Sequence, residues 1–131
     1  MVLIGSISGG SRRISMARLS RRDVGVAFSD SSGQLWFVST NNGIAWSSQF
    51  AVPGFSSGGT FPVSLFDSGN GVPAIISYSN SPSELLYSRA TGANWTSWSP
   101  PTSINDLPVY ETSSFGFMVN GLPAAVFGLA G

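Results

Sequence analysis

Apolar residues along this chain come in short runs, and glycine, serine, asparagine or proline interrupts each run before a helical period can establish itself. The runs read Ile14-Ser15-Met16, Val24–Ser29, Leu35–Ser39, Phe61–Leu65, Val72–Ser77, Leu85–Ser88 and Leu122–Phe127. They are rich in β-branched and aromatic residues, which suit a pleated, half-buried surface. The pattern predicts an all-β chain. Asn70-Gly71 and Asn120-Gly121 each stand between two apolar runs, and because both residue types tolerate positive φ, each pair predicts a tight hairpin.

The runs also repeat. Ser57-Gly58-Gly59-Thr60-Phe61-Pro62-Val63-Ser64-Leu65 falls under Ser8-Gly9-Gly10-Ser11-Arg12-Arg13-Ile14-Ser15-Met16, with serines, glycines and apolar positions coinciding at a shift of about 49. In the same register Val24–Ser29, Val72–Ser77 and Leu122–Phe127 line up as one strand seen three times, and Leu35–Ser39 matches Leu85–Ser88. Each period then holds four short antiparallel strands, and units of that size are the blades of a β-propeller. The chain reads as a single domain, 1–131, with repeats at about 8–56, 57–105 and 106–131. It carries two whole blades, the end of a fourth strand near Val2–Gly5, and a last pair of strands running to Gly131.

Charge and composition narrow the chemistry. Only 9% of residues are charged and the formal balance is zero, with all basic residues arginine, so no broad surface for nucleic acid is available. The chain has no cysteine and no histidine, which removes disulfides, thiol nucleophiles, imidazole bases and the usual zinc or copper ligands. No metal and no cofactor is expected. The opening MVLIGSISGG lacks the basic start and apolar length of a secretory signal, and no run approaches a membrane span. A soluble chain is expected, with an extracellular or surface location left open.

The polar turns after the third strands carry a second signal. Ser39-Thr40-Asn41-Asn42-Gly43-Ile44-Ala45-Trp46 and Ser88-Arg89-Ala90-Thr91-Gly92-Ala93-Asn94-Trp95 share serine, glycine and tryptophan at one spacing. The spacing resembles the Asp-box turn of bacterial neuraminidase repeats, Ser/Thr-x-Asp-x-Gly-x-Thr-Trp/Phe. Ser39, Gly43 and Trp46, and Ser88, Gly92 and Trp95, hold its framework positions, whereas Asn41 and Ala90 replace its aspartate and Ala45 and Asn94 its threonine. The resemblance implies a sialidase-like propeller in which these turns stabilise the fold. The glycines are expected to supply a backbone conformation closed to other residues, the serine hydroxyl to bond back to the turn, and the tryptophan to pack between blades.

The same resemblance implies a catalytic set that this chain does not match: a three-arginine clamp, a tyrosine nucleophile with a glutamate, and an aspartate. Arg12, Arg13, Arg18, Arg21 and Arg22 crowd around one strand, and Tyr110 and Glu111, adjacent in a strand, point to opposite faces. The expected protein is therefore not an enzyme. A lectin-like reading fits better, with sugars held between blades by aromatic faces and a few polar groups. Trp36 and Trp98 are the candidate platforms, Tyr78 and Glu84 stand near the turn between second and third strands, and Arg12 and Arg13 are candidates for an anionic group. Asn94-Trp95-Thr96 is a glycosylation sequon that matters only in a eukaryotic secretory route. The alternative is a structural or protein-interaction scaffold, as part of an assembly or of a larger propeller protein. Because incomplete blades leave apolar faces and edges open, a homo-oligomer that closes the ring is the expected partner arrangement.

Overall fold

The computed structural model describes residues 13–20, 22–55, 62–80, 83–104 and 114–127. Apart from one 3-10 turn at Ala93–Trp95, all regular structure among them is strand. The first sheet is an antiparallel meander of β1 (Ile14–Arg18), β2 (Val24–Ser29), β3 (Leu35–Thr40) and β4 (Phe50–Val52). The second repeats it with β5 (Val63–Asp67), β6 (Pro73–Asn80), β7 (Ser83–Arg89) and β8 (Thr102–Ser103). A hairpin of β9 (Ser114–Val119) and β10 (Leu122–Phe127) completes the described chain. None of these sheets closes on itself.

The turn chemistry accounts for the meanders. Asn120 and Gly121 both take positive φ in the two-residue link between β9 and β10, and Asn70 and Gly71 do the same between β5 and β6, as their sequence predicts. Between β2 and β3, Asp30 accepts from the amides of Ser32 and Gln34, a local bond that turns the chain back on itself.

Both sheet faces are used in the second sheet, which explains its nearly unbroken apolar strands. The first and second sheets pack face to face through Ala27, Leu35 and Phe37 on one side and Val63, Leu65 and Ile75 on the other. On its far side the second sheet presents Phe66, Ala74, Ile76 and Tyr78, against which Met118 and Ala125 of the hairpin pack. The first strands lie side by side in the order β1, β5, β9. One kind of hydrogen bond recurs between them. The Ser15 hydroxyl accepts from the Leu65 amide at 3.0 Å, and the Ser64 hydroxyl, one repeat later, accepts from the Gly116 amide at 2.7 Å.

These faces correct the sequence register of the second strand. Matching Val24–Ser29 to Val72–Ser77 makes Ala27 the counterpart of Ile75. In the structure Ala27 faces onward to the second sheet and Ile75 faces back to the first, so the true counterpart of Ala27 is Ile76. A slip of one residue reverses every side chain. It is invisible in a strand whose two faces are both apolar. Tyr110 and Glu111 lie outside the described residues, as do Arg12, Arg21 and the Val2–Gly5 segment.

Candidate functional site

The loops gather at the two ends of the sheets. The β2–β3 and β6–β7 turns lie at one end, and the β1–β2, β3–β4 and β7–β8 turns at the other. The sequence candidates divide between them. Trp36, Tyr78 and Glu84 stand toward the β2–β3 and β6–β7 end, whereas Trp98, bridged to Ala90, belongs to the opposite one. Arg13 is exposed, and its carbonyl accepts from Ser29 at the same end as Trp36.

Local contacts also assign these side chains. Trp98 is 8% exposed, its indole N–H donates to the Trp95 carbonyl at 2.9 Å, and its ring meets Phe37 edge-on at 5.4 Å. Its faces are occupied by the core between the sheets, which leaves no platform for a ligand. Tyr78 is buried in the second core. Trp36 is half-buried and donates its N–H to the Asp30 carboxylate at 2.9 Å. Burial acts to raise the Asp30 pKa, but the bonds from Ser32, Trp36 and the Ser32 and Gln34 amides outweigh it and hold the carboxyl below its ordinary 3.8.

The two polar turns differ from the expectation in which residues hold them. In the first, the bonding hydroxyl is that of Thr40, not Ser39: it donates to the Ala45 carbonyl at 2.7 Å and accepts from the Gly43 amide at 3.0 Å. The amide that organises the loop is Asn42, whose Oδ1 accepts from the Ile44 and Ala45 amides at 2.8 and 2.9 Å, while Asn41 is exposed. Gly43 does take positive φ, 73°. In the second turn Gly92 is extended at φ −105°, and the left-handed residues are Asn94 and Trp95. Glycine is needed at 92 for space instead, since a Cβ there would stand 3.2 Å from the Ser97 Cβ and Oγ. Ser88 is fully buried and its hydroxyl donates to the Ser99 carbonyl at 2.7 Å, fastening the two sides of the loop.

Between these turns lies an open groove of about 560 Å³. Trp46 from the first sheet and Trp95 from the second line it, both half-buried, with Thr40, Asn41, Asn94 and Asp23 supplying polar groups. Trp95 is held by an edge-on contact with Phe37 at 6.1 Å. The structure thus brings together Ser39, Asn41, Trp46 and Trp95, which the sequence marked as framework, while of the residues marked for binding Trp36, Tyr78, Glu84 and Arg13 stand toward the other end and Trp98 lies in the core. The tryptophan spacing was the visible signal. That both turns share one end of neighbouring sheets depends on the pairing of the strands.

Arg13, Arg18 and Arg22 are exposed, and Arg18 Nε donates to the Ser20 carbonyl at 2.9 Å. Among the described residues no three acidic side chains gather as a metal site, and no helix is long and apolar enough to cross a membrane. No family model matches the chain, and neither a curated protein nor a solved structure matches it.

Proposed function

We propose that the chain is part of a non-enzymatic β-propeller that binds neutral carbohydrate in the groove between the β3–β4 and β7–β8 turns. The observation that carries this reading is the pairing of Trp46 and Trp95 across one groove, with the amides of Asn41 and Asn94 and the carboxylate of Asp23 beside them. A pyranose ring has an apolar C–H face and a rim of hydroxyls. Indole faces take the first, and Asn41 and Asn94 offer donors and acceptors to the second. Trp95 adds a further argument. A tryptophan at φ 57° is in a conformation that costs about 1–2 kcal/mol, and such strain gathers at binding sites. The propeller reading rests on the repeated meander and on the serine links that set β1, β5 and β9 side by side.

A glycan array followed by titration of the hits tests the function. Binding should fall at least about 10-fold in Trp46→Ala, where a half-buried ring is removed, with the far-UV circular dichroism unchanged. Trp98→Ala should act instead through stability, by about 3–5 kcal/mol, because it empties a core site. Silence across the array, or binding indifferent to Trp46, overturns the reading. The scaffold alternative would then stand, favoured by exposed apolar side chains such as Ile14, Met16 and Leu122.

A further inference from the structure

Among the described residues, every large apolar side chain that is exposed, Ile44 excepted, lies on one of two faces. Ile14 and Met16, at 65% and 70% exposure, stand on the face of the first sheet that points away from the second. Their cross-strand partners on the same face, Phe28 and Val38, are buried, and Val26 and Trp36 are half-buried, so the open part of this face is the row along β1. Val119, Leu122 and Val126, at 46%, 69% and 63%, stand on the face of the β9–β10 hairpin opposite Met118 and Ala125, which pack on the second sheet.

The two faces are opposite in kind. Inside the chain, the onward face of the first sheet receives the back of the second, and the onward face of the second receives the back of the hairpin. The hairpin's open face is the onward kind, the counterpart of Phe66 and Ile76. The first sheet's open face is the back kind, the counterpart of Val63 and Leu65. One chain therefore carries both halves of a contact that it already makes twice internally.

We propose that this protein associates head to tail with a second copy of itself, the open face of β9–β10 in one protomer seating on the Ile14, Met16 and Trp36 face of the next. The occupant is another copy because the required surface is on the chain itself, and two like faces have no precedent in its packing. The contact is heterologous, so each protomer gives one face and receives on the other.

Light scattering and native mass spectrometry on the full chain test this, with two variants. The wild type should exceed the mass of one chain. Met16→Glu spoils the receiving face and Leu122→Glu the seating face, and each should run as a monomer with wild-type circular dichroism. Mixed in equal amounts, they should form a species of two chains and nothing larger, because one intact pair of faces survives. If either glutamate unfolds the protein, Ile14→Gln and Val126→Gln serve in its place. A monomeric wild type overturns the proposal. So does association that survives either change, or a mixture that stays monomeric.

Discussion

At the scale of single residues, the β3–β4 turn is held by side chains one step along from those its motif suggests. Thr40 is buried and makes bonds on both sides of the loop, so Thr40→Val should lower stability by about 1–3 kcal/mol in urea unfolding, by leaving its partners unpaired. Asn42→Ala should cost about 1 kcal/mol. Asn41→Ala, at an exposed position, should stay within about 0.5 kcal/mol. The reverse order would return the turn to Ser39 and Asn41. Asp30 gives a second residue-scale outcome. Its folded pKa is depressed, so the stability it contributes is present above its unfolded pKa, near 3.8, and is lost as pH falls through the lower folded value. Because Trp36 donates to that carboxylate, tryptophan emission should change in a step below pH 3.8 that is absent from Asp30→Asn. A step at or above that pH would mean the bonds do not hold the carboxylate.

At the scale of elements, what joins one repeat to the next is more specific than apolar contact. Ser15 and Ser64 each tie a first strand to its successor through a backbone amide. Removing the hydroxyl strands an amide in a nearly dry setting, which costs about 1–3 kcal/mol. Ser64→Ala should therefore speed hydrogen exchange at the Gly116 amide, and Ser15→Ala at Leu65, each leaving the other link protected. Equal loosening at both sites would show that the links are not separate. Phe37 joins the first two sheets in another way, with Trp95 and Trp98 edge-on against its ring. Its counterpart by strand pairing, Tyr87, borders a cavity of about 630 Å³, where burial raises the phenol pKa and Arg89 opposes the rise.

At the scale of the whole molecule, the second sheet is buried on both faces, whereas the first sheet exposes Ile14 and Met16 on its outer face and the hairpin exposes Val119, Leu122 and Val126. That asymmetry makes the two ends complementary. Trp36, half-buried, lies in the row of Ile14 and Phe28 on the face proposed to receive another copy. The proposed sugar-binding groove and the proposed self-association faces use different residues, so Trp46→Ala and Met16→Glu should fail independently.

Much of this was written in local sequence. Short apolar runs, their period of about 49 and the Asn-Gly pairs dictate all-β structure, antiparallel meanders and hairpins, because turn conformation and strand periodicity act over a few residues. The repeated serine at positions 15 and 64 was visible too, though its bond was not, since it joins residues about 50 apart. Only tertiary packing decided which face of an apolar strand points which way, as the shift from Ile75 to Ile76 shows. Tertiary packing also turned Trp98 into the core, freed Trp46, and set Trp46 and Trp95 across one groove. The physical reason is common to all three: tryptophan is apolar enough to fill a core and wet enough to line a site, and only neighbours distant in sequence select between the two.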